Sequence, residues 1–258
     1  GYEPGGESGE TEEYDGSSWT ESGDLGTARY VMANGSGTQT AALCVAGRTD
    51  AAGAVSVVEE YNGSTWSEVT NVPGTRVAHG SAGPQTAALV GLGSTAPGPG
   101  NTTTTSFHYD GTNWTSGGTA NTARNAVTGT GTQTAAIFAG GSPKLTNAEE
   151  YDGSSWTAGG SMLFGAHGAS ASGTQTAALY ASGGDGASTP SATTETQLYN
   201  GSVFATQPTL ASTRGYAAGF GISTSSVVGG GLRTAGVATT EEFTGETSAE
   251  TGSTIDFD

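Results

Sequence analysis

The chain has 258 residues, 45 of them glycine, with 12% charged and 33% hydrophobic. Its 24 acidic and 7 basic residues leave a formal net charge of −17. That balance excludes a nucleic-acid groove, which needs clustered Lys and Arg, and opposes an anionic membrane surface; Cys44 is the sole cysteine, so no intrachain disulfide can form.

In chain order, residues 1–6 read as the tail of an inner strand and its following loop. The first complete element is a hairpin, Tyr14-Asp15-Gly16-Ser17-Ser18-Trp19, preceded by Glu12-Glu13. Asp-Gly and Asn-Gly favour two-residue type I′ turns. Such a turn sets Tyr14 opposite Ser17 and Glu12 opposite Trp19, with Tyr14 and Trp19 as diagonal neighbours. Arg29 follows, then strands expected near 30–36 and 40–46. The turn Gly37-Thr38-Gln39-Thr40 lies between them and leads into Ala41-Ala42-Leu43. Two outer strands are expected near 56–61 and 64–69.

The same order then repeats. The aromatic hairpin returns at Tyr61/Trp66, Tyr109/Trp114, Tyr151/Trp156 and Tyr199/Phe204, and in weaker form at Phe243/Ser248. The glutamine turn returns at Gln85, Gln133 and Gln175, and in degenerate form at 223–228. Arginine returns as Arg76, Arg124 and Arg214, with the remaining blade's slot expected near Phe164-Gly165. Successive Trp slots at 19, 66, 114, 156, 204 and 248 are 42–48 residues apart, the period of a four-stranded propeller blade. The aromatic pairs are expected to fill the space between adjacent blades. Each Arg is expected to bind carbonyls or carboxylates of a neighbouring blade rather than an anion.

This order of Arg, apolar strand, glycines, Tyr-Asp and Trp resembles the kelch repeat. Its wording is similar to kelch-like repeats in virion proteins of bacteriophages, marine ones especially. The resemblance implies an all-β, kelch-like propeller of four-stranded antiparallel blades over residues 1–258. Six aromatic hairpins against five glutamine turns predict six blades, with upstream residues of the first blade missing. The alternative is a five-bladed ring closed by the N-terminal hairpin. Residues 253–258 alternate as an outer strand would.

Function is expected in the loops joining second to third strands, at 48–55, 93–105, 141–147 and 184–195, because variable loops on a rigid repeat are where binding concentrates. His79, His108 and His167 lack metal-ligand spacing, with His79 and His167 read as related positions. No nucleophile elbow, phosphate loop or zinc motif is present. No catalytic residue, cofactor or metal is assigned; calcium at Asp50 or Asp185 is the weaker option. The resemblance implies a non-enzymatic structural or adhesive component of a virion surface. Its partners would be other virion proteins and host glycan or protein, with no nucleic acid and no membrane insertion. The alternatives are a carbohydrate-active propeller enzyme, such as a sialidase or oxidase, and a cellular kelch interaction module.

Overall fold

The structure is a computed structural model and describes residues 2–3, 6–32, 35–98, 100–184, 192–231 and 238–245. Ser248, the strand expected at 253–258 and Asp185 lie outside the described residues.

Two small hairpins come first: β1 (Tyr2–Glu3) with β2 (Gly6–Glu7), and β3 (Glu12–Tyr14) with β4 (Trp19–Glu21). The first blade is β5 (Ser36–Thr38), β6 (Ala41–Thr49), β7 (Gly53–Tyr61) and β8 (Trp66–Val69). The second is β9 (Gly80–Ala82), β10 (Ala88–Gly91), β11 (Thr105–Tyr109) and β12 (Trp114–Thr119). The third is β13 (Thr128–Thr132), β14 (Ala135–Ala139), β15 (Ala148–Tyr151) and β16 (Trp156–Ala158). The fourth is β17 (Ser170–Thr174), β18 (Ala177–Ala181), β19 (Thr196–Tyr199) and β20 (Phe204–Gln207). The fifth has three strands among the described residues, β21 (Ala218–Ile222), β22 (Ser225–Gly229) and β23 (Thr240–Thr244). Each is an antiparallel meander with sequential neighbours paired. Five blades are therefore present among the described residues, which matches the alternative expectation of a five-bladed ring where the main expectation was six. The N-terminal hairpin β3–β4 lies between the fifth blade and the first: Tyr14 reaches Glu242 on one side, and Glu13 receives Tyr61 on the other.

The core sits between blades rather than within them. Leu43, Val58, Val90 and Tyr109 join the first two blades, and Leu89, Phe138, Tyr151 and Trp156 join the next two. Close sheet approach requires small residues here: a Cβ on Gly80 or Gly129 would come within 2.6 Å or 2.4 Å of the Phe138 ring.

A row of backbone hydrogen bonds links the segments that lead into the first strands. Ala78 N donates to Val31 O (2.9 Å), Ala126 N to Ala78 O (2.7 Å), Gly168 N to Ala126 O (3.0 Å) and Tyr216 N to Gly168 O (2.8 Å). All five residues are left-handed, φ 50–63°, although four are not glycine; the inter-blade bonds offset a cost of about 1–2 kcal/mol per residue. This kink breaks the strand expected over 30–36, which survives as a single bridge between Tyr30 and Arg48 ahead of β5.

The aromatic hairpin also differs from expectation. Tyr14 pairs directly with Trp19, and Glu12 with Glu21. The loop has four residues because the Asp15 carboxylate accepts the N–H groups of Ser17 and Ser18 at 2.8 Å each, a side-chain turn that replaces the two-residue form.

Candidate functional site

The arginines are structural, each inside its own blade rather than bridging to a neighbour. Glu59 on β7 accepts Gly26 N (2.6 Å), Thr27 N (3.1 Å) and the Arg29 guanidinium. Glu149 on β15 does the same for Asn121 N, Thr122 N and Arg124, and Glu241 on β23 for Ala211 N, Ser212 N and Arg214. The guanidinium groups also donate to carbonyls of the same blade, such as Cys44 O, Phe138 O and Thr239 O. All four arginines are at most 2% exposed, so they present no anion-binding face to solvent.

Two blades vary this device. In the second, Phe107 stands in the Glu position. The Arg76 guanidinium carbon lies 5.2 Å from that ring's centroid, and its nitrogens reach Thr105 O and Thr105 Oγ1. Burial without a carboxylate lowers the Arg76 pKa to about 10. In the fourth blade the slot is Ala166, not Phe164-Gly165. Gly141 N binds Ala166 O as Gly47 N binds Arg76 O and Gly93 N binds Arg124 O. Gln197 fills its Glu position: the amide oxygen accepts Leu163 N (2.8 Å) and the amide nitrogen donates to Phe164 O (2.9 Å). One neutral side chain thus replaces both members of an ion pair.

The aromatic hairpins and second glutamates join blade to blade. Tyr109 Oη donates to Glu60 (2.9 Å), Tyr199 Oη to Glu150 (2.5 Å) and Tyr14 Oη to Glu242 (3.0 Å). His108 stands in the glutamate position for Tyr151 (2.8 Å). Burial and then the Glu150 carboxylate push Tyr199 up to about 12, so it remains a donor at neutral pH. The indole N–H groups of Trp66, Trp114 and Trp156 reach the preceding hairpin or blade at Thr11, Thr70 and Ser106. Each pair is in ring contact, from Tyr14/Trp19 at 5.0 Å to Tyr199/Phe204 at 4.7 Å. Gln85, Gln133 and Gln175 each donate to two carbonyls of the preceding blade, a role that the turn motif alone did not reveal.

His79 and His167 are not equivalent. His79 follows Ala78 of the hydrogen-bonded row, and His167 precedes Gly168 of it. His167 meets the Tyr216 hydroxyl. His79 is 1% exposed, and neither ring nitrogen has a hydrogen-bond partner. Burial first, then the Arg76 charge, lower its pKa from 6.5 to about 3. Between those values the unfolded chain binds a proton that the folded chain does not. Stability is therefore lost as pH falls from about 6.5, at about 1.4 kcal/mol per pH unit. His79→Val, which copies Val127 in the corresponding place, is expected to flatten that slope in thermal melts between pH 7 and 4.5. Equal slopes in the two proteins would contradict this.

The loops from second to third strands, residues 50–52, 92–104, 140–147, 182–195 and 230–239, differ in length; 185–191 and 232–237 lie outside the described residues. They share one face with the segments leading into the first strands: Thr75 Oγ1 binds Thr95 O (2.6 Å) and Asn125 Nδ2 binds Ser94 Oγ (2.8 Å). This face carries Tyr30, with its hydroxyl on Asp50 (2.9 Å) and Arg48 5.6 Å over its ring. It also carries Lys144 and the exposed Leu163. The opposite face repeats itself: Gly63, Gly111, Gly153 and Gly201 stack on Thr40, Thr86, Thr134 and Thr176. Among the described residues, no three His, Cys, Asp or Glu side chains lie together to hold a metal ion. The arrangement offers an aromatic ring, hydroxyls, amides and a few charges on one face.

No protein-family model matches the chain, and no curated protein matches it. A solved structure described as "Structure of YjhT" superposes with a TM-score of 0.76, over 96% of this chain and 91% of that one, at 13% identity. The chain is a β-propeller. At this identity the likeness is one of fold alone.

Proposed function

We propose that this propeller is a non-enzymatic display scaffold, a structural or adhesive component of a virion surface, that binds host glycan or protein through its unequal loops. The observation that carries the reading is the division of labour in the chain. The recurring Arg, Glu, Tyr, Trp and Gln side chains are committed to building blades, and the differences between repeats gather in loops on one face. The phage-like wording of the kelch-type repeat supports the virion setting. The net charge of −17 suits a component that must stay dispersed at high copy number.

The test is binding of the purified protein to a panel of bacterial cells and immobilised glycans. Saturable retention on cells or on a defined glycan class is expected. Failure to bind any of them, together with turnover of sialosides or oxidation of galactose, would move the assignment to a carbohydrate-active enzyme.

A further inference from the structure

Five hairpin turns share one bond pattern, and two of them carry asparagine where three carry aspartate. In Asp15, Asp110 and Asp152 the Oδ1 oxygen accepts the N–H groups of the residues two and three places on, at 2.7–2.9 Å. Asn62 Oδ1 accepts Ser64 N and Thr65 N, and Asn200 Oδ1 accepts Ser202 N and Val203 N, all at 3.0 Å. The glycine that follows is left-handed in every case, φ 91–96°. The strands beneath stay in register, Tyr61 opposite Trp66 and Tyr199 opposite Phe204, as Tyr109 is opposite Trp114 and Tyr151 opposite Trp156. Asn62 and Asn200 are exposed. Among the described residues, the backbone N–H of neither Gly63 nor Gly201 donates a hydrogen bond.

These are the parts of a reactive centre. The asparagine Cγ is a carbonyl carbon, and Oδ1 is the oxygen that turns negative when a nucleophile adds to it. Two backbone donors already aimed at that oxygen stabilise the new charge without rearrangement. The nucleophile is next in the chain: a glycine nitrogen with no side chain to obstruct it and no hydrogen bond to give up.

We propose that Asn62 and Asn200 are sites of self-modification, converted to aspartate by their own turns. Gly63 N loses its proton to water and adds to Asn62 Cγ. The Cγ–Nδ2 bond breaks, ammonia leaves with a proton from water, and a five-membered imide remains. Water then adds to the imide. Ser64 N and Thr65 N are the donors to Oδ1 again, so Cγ is the activated carbon a second time. The bond from Cγ to Gly63 N breaks, the nitrogen regains a proton, and a carboxylate is left on an unaltered main chain. Addition at the Asn62 main-chain carbonyl would instead route the chain through Cβ and give isoaspartate, which loses the turn's acceptor. In sum, one amide and one water give one carboxylate and one ammonium ion. The fold has a place for this product, because Asp15, Asp110 and Asp152 already fill it, with the shorter bonds of a charged acceptor. Each conversion adds one negative charge to the net −17. The charge falls on the repetitive face, so the inference stands apart from the binding proposed for the unequal loops. Asn200 follows the same course with Gly201, Ser202 and Val203.

The experiment incubates the protein at mildly alkaline pH, folded and in urea, and follows each asparagine by peptide mapping that separates aspartate from isoaspartate. In the folded protein the Asn62 and Asn200 peptides are expected to gain one mass unit, with aspartate the major product. The isoaspartate share should fall at least about threefold from that of the urea-unfolded chain, since the two donors act only in the folded turn. Asn101 and Asn113, which precede Thr and Trp, should stay intact. Asn62→Asp with Asn200→Asp should remove the change at both peptides and melt no lower than the parent. Asn62 and Asn200 that stay intact in the folded protein while converting in urea would overturn the proposal. So would an equal isoaspartate share in the two states, or a double variant that melts well below the parent.

Discussion

Arg124→Ala lowers the stability of the propeller by about 3–5 kcal/mol, the cost of leaving a buried carboxylate without its partner. Arg124 is 1% and Glu149 3% exposed, and the pair is held further by Asn121 N, Thr122 N and the carbonyls of Phe138 and Gly140. The chain already contains the repaired version. In the fourth blade Ala166 and Gln197 occupy the two positions, and the Gln197 amide serves the same backbone groups without charge. Arg124→Ala with Glu149→Gln is therefore expected to recover at least half of the loss. Urea midpoints of the wild type, both single variants and the double variant give the coupling directly. A double variant as unstable as Arg124→Ala would contradict the account of the ion pair.

Trp156→Ala is expected to cost about 3–5 kcal/mol, as for a buried aromatic, and Trp19→Ala under about 1.5 kcal/mol. The two occupy the same repeat position. Trp156 is 6% exposed, packs on Phe138 and Tyr151, and donates to Ser106 Oγ. Trp19 is 39% exposed in the two-stranded N-terminal hairpin, although it also donates to the preceding blade, at Thr240 Oγ1. Denaturation of both variants under one set of conditions checks this. Equal costs would show that the hairpin β3–β4 is as firmly packed as a complete blade.

The repeat was legible because its chemistry recurs in fixed order: the Asp-Gly hairpin, the glutamine turn and the arginine each mark one place in a blade. The partners of those residues were less so. Arg124 and Glu149 are 25 residues apart, and nothing local in either stretch says that they meet within one blade. The Ala166 slot is hard to see because losing both charges leaves no letter to align, although Gln197 in the glutamate column was a usable signal. The left-handed Val31, Ala78, Ala126 and Tyr216 carry no sequence mark, since bonds to neighbouring blades impose that conformation. The two-residue turn fails for a local reason: the Asp15 carboxylate accepts the N–H groups of Ser17 and Ser18, and the bonds from these serines lower its pKa to about 2. The blade count depended on inner strands that the six outer hairpins implied but did not contain.

Under the proposed function the repeats build the propeller and the unequal loops bind the partner. Thr95 N binds Asn101 O (2.9 Å) and closes the outer part of the 92–104 loop, so residues 96–100 can be replaced by Asn-Gly without disturbing Leu92 or Thr105 beneath. Binding of this variant to the cells or glycan that retain the parent protein is the most direct test. A loss of at least about tenfold, or 1.4 kcal/mol, is expected, with an unchanged melting temperature. No loss is expected for Val203→Ser, which alters an exposed side chain on the opposite, repetitive face. Binding that survives the loop exchange but falls with Val203→Ser would contradict the proposed function.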